Sequence, residues 1–368
     1  MSTVAWSSLP GLAGIAFSIV SVLLMMAWWR GGLRHKTRPQ RVAALAGLTL
    51  FLCFDLVVFG AYTRLSDSGL GCPDWPGCYA TSSPAAAAQH IAQAQAIAPN
   101  GPVTEKKAWI EMIHRYFAMA LGSLIILMLA AAAFARERRA QVLAGVTLAW
   151  VIAQGAFGAL TVTWKLYPAI VTGHLLGGMG LLALLALQAP VRTDADTPTQ
   201  GARDRLVLWF AALALLLQIA LGGWVSTNYA VLACTGFPQC NGQWWPAMNW
   251  AEGFTFMREL GRRGDGAPIA MTALVAIQWA HRLFALVFVA AMGWLAARLW
   301  RRGPTSRRRA VIIGGLVVLQ LATGLSNVVL GWPLVAALAH TAGAAALVIC
   351  IGFEIAAALN KRTRVLSS

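Results

Sequence analysis

The chain has 368 residues, of which 58% are hydrophobic and only 11% are charged, and its mean hydropathy is +0.65. Soluble domains carry about 25% charged residues, so this composition excludes an ordinary soluble enzyme. The formal net charge of +16 does not indicate a nucleic-acid partner. The basic residues form short clusters between long apolar runs, which is the pattern of membrane topology.

Nine apolar segments are long enough to cross a bilayer, since a helix needs about 20 residues to span about 30 Å of hydrocarbon. In chain order they cover residues 10–29, 42–62, 109–134, 141–163, 168–188, 206–226, 273–297, 310–331 and 333–358. A further Ala- and Gln-rich stretch, 84–98, is predicted to form a surface helix. The sequence therefore predicts an all-α integral membrane protein with nine transmembrane helices.

The distribution of Lys and Arg predicts the orientation of these helices. Most of the 29 basic residues lie in one set of alternating loops. The positive-inside rule places those loops and the C-terminus in the cytoplasm, and the N-terminus outside. No small-residue cleavage site follows segment 10–29, so we expect an uncleaved anchor. The predicted location is the bacterial plasma membrane, which the chain crosses several times.

The chain contains an internal repeat, which divides the core into two halves. FGAYTRLSDSGLGCPDWPGC, IHRYFA and GHLLGG in the first half match LGGWVSTNYAVLACTGFPQC, AHRLFA and AHTAGA in the second. Each half has four helices, so the prediction is two pseudo-symmetric four-helix bundles plus one extra N-terminal helix. The predicted divisions are the extra helix and basic loop 1–41, the first repeat 42–190, the linker 191–205, the second repeat 206–358 and the tail 359–368.

Four of the six histidines lie inside predicted helices, at similar depth and with two in each half: His114, His174, His281 and His340. A single membrane histidine is as often an interhelical hydrogen-bonding residue as a functional one. Four in duplicate pairs favour axial ligation of two haem irons. A zinc site needs three or four ligands close together, which two separated pairs do not supply.

An arginine follows one histidine in each half. Arg115 and Arg282 are predicted either to bind a haem propionate through bidentate contacts or to snorkel toward the interface.

The two halves differ three residues before that histidine. Glu111 occupies this position in the first half and Gln278 in the second. Because glutamine cannot titrate, we expect Glu111 to exchange protons and the first half to carry out the chemistry. The alternative is that Glu111 is interfacial and solvated.

Two cysteine pairs lie in the predicted outside loops. Cys72 with Cys78, and Cys234 with Cys240, are each six residues apart, and an oxidising compartment favours local disulfides. We expect the second disulfide to close a loop, whereas the first has either a structural or a redox role. No CxxCH motif is present, so the haem is predicted to be non-covalent.

The combination of TRLSDSGLGCPDWPGC, EMIHR, GHLLGG, the second cysteine pair, AHRLF and AHTAG resembles the haem A synthase family over residues 42–358. That resemblance implies eight helices in two repeats and oxidation of the C8 methyl of haem O to a formyl group for haem-copper terminal oxidases. It implies that His114 and His174 bracket the substrate haem, with Glu111 required for turnover. It also implies that His281 and His340 bind haem b. Helix 10–29 departs from the family pattern.

The resemblance leaves several partners open. Haem O synthase is the expected haem donor, and the electron donor is either a quinol or a redox protein. The sequence leaves a homo-oligomer open. The alternative function is a dihaem b-type cytochrome linked to quinol, although a pure electron carrier has no evident need for Glu111 in one half only.

Overall fold

A computed structural model describes residues 36–189, 201–263 and 265–366, with side chains to residue 359. Within these ranges the chain is helical and contains no strand. The ten helices are α1 Arg38–Leu65, α2 Ala88–Ile97, α3 Glu105–Ala135, α4 Arg138–Thr163, α5 Pro168–Ala186, α6 Ala202–Thr227, α7 Trp250–Gly253, α8 Met271–Trp300, α9 Pro304–Val329 and α10 Leu334–Leu366.

Eight of these helices, all except the short α2 and α7, are long and apolar enough to cross a membrane. The predicted all-α membrane fold is therefore confirmed, and all eight predicted spans from 42 to 358 are present. The predicted helix 10–29 and linker residues 191–200 lie outside the described residues. Helix α2 falls within the predicted surface helix 84–98.

The helix ends follow local sequence signals. Thr37 and Gln40 form a capping box at the start of α1, and the Thr104 hydroxyl accepts from the Lys107 N–H at the start of α3. Arg136 ends α3 in the left-handed conformation. Helix α10 runs eight residues past the predicted end at 358, because its basic tail contains good helix formers.

The eight long helices pack as two rings of four. In the first ring α1 contacts α3, α3 contacts α4, α4 contacts α5, and α5 returns to α1. Helices α6, α8, α9 and α10 close a second ring in the same order. The rings meet where α5 packs on α6 and α10, and where α1 packs on α10.

Small residues allow the two rings to approach closely. A Cβ atom at Gly352 of α10 would lie 2.7 Å from the Ala186 Cβ of α5, and one at Gly223 of α6 would lie 3.0 Å from Leu175. Inside lipid the helices gain stability mainly from such close van der Waals packing.

A polar cluster joins the rings where α1 and α6 end, on the side that carries both cysteine loops and is called the disulfide side below. The Arg64 guanidinium donates to the Ser226 carbonyl at 2.8 Å and lies 4.0 Å from the centre of the Tyr229 ring. The Tyr229 hydroxyl donates to Asp67 at 2.6 Å. These contacts fix the end of α1 against the end of α6.

An ion-pair network fixes α6 to α8 at the opposite end. Asp204 lies 2.6 Å from Arg298 and 2.7 Å from Arg302, and its side chain is 14% exposed. One carboxylate thus compensates two guanidinium groups, so its loss would leave two cations close together.

We expect Asp204→Asn to lower the apparent melting temperature of the detergent-purified protein by several degrees, because breaking a largely buried pair leaves uncompensated charge. Asp265→Asn is the matched control, since Asp265 pairs with Arg263 between exposed side chains and such pairs contribute little. Equal melting temperatures for the two variants would contradict the assigned role of Asp204.

Candidate functional site

Four helices that begin on the disulfide side each carry one histidine. His114, His174, His281 and His340 lie six to ten residues after the starts of α3, α5, α8 and α10. At 1.5 Å per residue this is about 9–15 Å along each helix. The four imidazoles therefore form a layer on that side of the membrane, with two in each ring of helices.

The imidazoles of the second ring of helices face each other. The ring centroids of His281 and His340 are 6.5 Å apart, and their planes are inclined by 77°. Two nitrogens bonded to one transition metal at about 2.0 Å, with roughly 1.2 Å from each nitrogen to its ring centre, would place the centroids about 6.4 Å apart. The observed separation therefore fits one iron bound between the two rings.

Each of the four imidazoles packs against a glycine of the neighbouring helix. A Cβ atom would lie 2.9 Å from His114 at Gly60, 3.5 Å from His174 at Gly158, 3.1 Å from His281 at Gly222 and 3.2 Å from His340 at Gly324. A larger residue at Gly60, Gly222 or Gly324 would push the imidazole out of its place, whereas at Gly158 a Cβ atom would make ordinary van der Waals contact. The absence of a side chain at these glycines thus leaves space for each imidazole to face a flat macrocycle.

The second pair of histidines has polar neighbours at the Nδ1 atoms. The Thr323 hydroxyl lies 2.9 Å from His340 Nδ1, and the Gln218 amide nitrogen lies 3.2 Å from Nδ1 and 3.5 Å from Nε2 of His281. An imidazole held at one nitrogen presents its other nitrogen to a metal.

The first pair lacks these neighbours. Phe157 precedes Gly158, where the second half has Thr323 before Gly324. Leu56 lies four residues before Gly60, where the second half has Gln218 four residues before Gly222. Within the part of the chain that the structure describes, His174 Nδ1 is buried without a hydrogen-bond partner. His114 instead stacks on Phe59, with ring centroids 6.2 Å apart.

Glu111 is buried beside the first cysteine loop. Its side chain lies 2.6 Å from Arg115 and accepts a 2.8 Å hydrogen bond from the Cys72 N–H. Glu111 is only 5% exposed, which excludes the solvated interfacial alternative. The corresponding Gln278 is equally buried, and among the described residues its Oε1 atom has no partner.

Arg115 and Arg282 both hold the loop of their own half. Arg115 donates to the carbonyls of Asp74, Pro76 and Gly77. Arg282 donates to those of Cys234, Gly236 and Gln239. Backbone carbonyls thus occupy N–H groups that were expected to bind a propionate, and no sequence pattern indicated these contacts.

The two predicted disulfides are present. Cys72 bonds to Cys78 and Cys234 to Cys240, while Cys53 and Cys350 are free. Each disulfide closes the loop that the following arginine holds, so loop, arginine and histidine form one connected unit in each half.

The sequence matches the COX15-CtaA family, described as cytochrome oxidase assembly protein, over residues 43–351. The chain belongs to this family. Among COX15-CtaA relatives, the heme A synthase of Shewanella oneidensis is 36% identical over 312 residues, covering 83% of this chain and 93% of that protein. The heme A synthase of Methylobacterium sp. is 29% identical over 343 residues, covering 83% and 89%.

The COX15-CtaA match includes six of the eight described spans in full and most of the first and the last, together with the four histidines, Glu111 and both disulfides. Sequence reasoning missed the facing glycines and the polar neighbours Gln218 and Thr323. The internal repeat could have identified the glycines, because Gly60 and Gly222 occupy equal positions in it, as do Gly158 and Gly324. It could not have identified Gln218 and Thr323, because Leu56 and Phe157 occupy those positions in the first half.

We expect Gly324→Val to displace the His340 ring and to lower the haem-to-protein ratio of the purified chain at least several-fold. Gly315→Val is the matched control, since a Cβ atom at Gly315 of the same helix meets no atom within 4 Å. The ratio follows from the absorbance of the haem pyridine adduct and the protein concentration. Equal haem content in the two variants would exclude the packing role of Gly324.

Proposed function

We propose that this member of the COX15-CtaA family is a haem A synthase. It oxidises the C8 methyl of haem O to a formyl group through hydroxylated intermediates, for the biogenesis of haem-copper terminal oxidases. The observation that carries this proposal is the arrangement of two histidine pairs in one layer, each ring packed on a glycine. The curated relatives named heme A synthase support the reaction.

The two repeats have different roles in this proposal. In residues 42–190, His114 and His174 bracket the haem O substrate, and in residues 206–358, His281 and His340 bind haem b. The spacing of His281 and His340 supports axial ligation, and histidine is a common axial ligand of haem iron. Haem b, when bound, supplies one-electron transfer for the oxidation.

Glu111 is the proposed catalytic proton acceptor and donor. It lies one helical turn before His114, on the same face of α3. Two donors, the Arg115 guanidinium and the Cys72 N–H, hold its carboxylate in place. A carboxylate held in this way can exchange a proton near a haem edge, whereas the amide of Gln278 cannot.

The disulfide loops are proposed to cover the haems from the disulfide side. Arg115 and Arg282 anchor the loops, and an N–H group of each that is not used on a carbonyl is available for a haem propionate. Closing the site in this way excludes water from the reacting methyl group.

The multi-pass protein is proposed to lie in the bacterial plasma membrane with its C-terminus in the cytoplasm and its N-terminus outside. Haem-related partners are expected of a cytochrome oxidase assembly protein, and we propose haem O synthase as the haem donor. The electron donor is proposed to be a quinol or a redox protein. A homo-oligomer is compatible with this arrangement. The family relationship does not favour the alternative, a dihaem electron carrier.

The reaction is tested by expressing the chain with haem O synthase, extracting the haems in acidic organic solvent and identifying them by chromatography and mass. We expect hydroxymethyl- and formyl-haem that are absent without the chain. Recovery of only haem O and haem b from cells that hold the protein would contradict the reaction and favour the dihaem carrier.

We expect Glu111→Gln to lower the yield of formyl-haem about 100-fold or more in this assay, the range that loss of a general acid or base produces. Glutamine keeps the size of the side chain and one of the two accepting oxygens, and the change lies in the first half, so the haem b content should stay unchanged. Glu259→Gln, at an exposed loop position, is the matched control. Full turnover in Glu111→Gln would remove the catalytic assignment.

A further inference from the structure

The two histidine pairs differ in what holds their Nδ1 atoms, and this difference lies in the residues that pack behind the rings. Both halves share the facing glycine and a glutamine four residues before it, Gln154 or Gln320. Gln154 packs over Gly177, and Gln320 packs over Gly343 at the corresponding place. The packing of the halves is alike at these glutamines, and among the residues behind the rings Thr323 stands against Phe157 and Gln218 against Leu56.

We propose that Thr323 and Gln218 are positioning residues that fix His340 and His281 for a permanently held haem. We infer also that Phe157 and Leu56 leave the first pair without this support, so that its haem can leave. The proposal rests on the proposed function, in which one haem is a resident cofactor and the other is exchanged as substrate and product.

The geometry at His340 defines the tautomer. The Thr323 hydroxyl donates to the Leu319 carbonyl at 2.7 Å, so its oxygen lone pairs remain to accept from the ring. At 2.9 Å from Nδ1, it accepts the Nδ1 proton and leaves Nε2 as the unprotonated atom. A metal-binding histidine whose other nitrogen donates a hydrogen bond is a more basic and better oriented ligand.

Gln218 holds His281 in a different way. Its amide nitrogen lies 3.2 Å from Nδ1 and 3.5 Å from Nε2, so the amide packs against the edge of the ring between the two nitrogens. The same nitrogen donates to the His281 carbonyl at 3.3 Å. These contacts fix the position of the His281 ring, whereas the Thr323 hydroxyl fixes both the position and the tautomer of His340.

The first half has no equivalent polar groups at the two positions. Phe157 packs its ring against the backbone at Gly173, where a Cβ atom would lie 3.1 Å away. An aromatic ring at this place cannot accept the His174 Nδ1 proton in the way a hydroxyl does, which agrees with the unpartnered Nδ1 atom. A ring without such support is held more loosely and is a weaker ligand.

The test uses the purified full chain carrying its resident haem, with three variants of similar side-chain size. Thr323→Val removes the hydroxyl, Thr323→Ser keeps it, and Thr341→Val is the matched control. Thr341 follows His340, and its hydroxyl donates to the Ala337 carbonyl of its own helix. Two quantities are measured: the rate of haem transfer to excess apomyoglobin, and the midpoint potential of the resident haem.

We expect Thr323→Val to speed haem loss about 10- to 100-fold, the range found when such a partner of a metal ligand is removed. Its midpoint potential should become more positive, because a less basic imidazole stabilises ferric iron less. Thr323→Ser and Thr341→Val should match the unaltered chain in both quantities. Equal behaviour of Thr323→Val and Thr341→Val, or equal impairment of Thr323→Ser and Thr323→Val, would overturn the proposal.

Gln218→Leu keeps the proposal testable if Thr323→Val does not fold, since leucine is the residue of the first half at this place. It should also speed haem loss and raise the midpoint potential, and unchanged values would overturn the proposal. Both measurements are made without turnover. A chain that binds haem but forms no formyl-haem would therefore overturn the proposed reaction and leave this test valid.

Discussion

The structure depends on placing four imidazoles inside hydrocarbon, where an unsatisfied polar ring is costly. Each ring faces a glycine of the neighbouring helix, and in the second ring of helices the two imidazoles face each other at 6.5 Å. Other features follow from this constraint. The helices must bring small residues to the depth of the four histidines. The disulfide loops must be held in place so that they close the histidine layer on the disulfide side.

The loops are fixed by the residues that flank the histidines. Arg115 and Arg282 directly follow a histidine and hold the carbonyls of their own disulfide loop. Glu111 joins Arg115 to the Cys72 N–H, so a single turn of α3 connects histidine, carboxylate and loop. The second half repeats this plan without a carboxylate, which supports assigning the chemistry to the first half.

Much of this architecture could be predicted from the sequence. The eight described spans were predictable because about 20 apolar residues in succession have few folds available other than a membrane helix. The histidines and cysteines were predictable because they recur at matched spacings. The contacts of Arg115 could not be predicted, since a basic residue after a histidine is compatible with a propionate, the membrane interface or backbone carbonyls as its partner. Thr323 and Gln218 were missed because their importance lies in a difference between halves that resemble each other, and it appears only when Nδ1 is seen to face them.

The central claim is that His281 and His340 bind one haem iron through both of their rings. Near-infrared magnetic circular dichroism of the oxidised chain, purified from cells without haem O synthase so that the first pair holds no haem O, reports the axial ligands of the resident haem directly. The account predicts a bis-imidazole low-spin signal from the resident haem that disappears in both His281→Ala and His340→Ala but persists in His114→Ala. A colourless chain, or a signal that survives the loss of His281 or His340, would contradict the account.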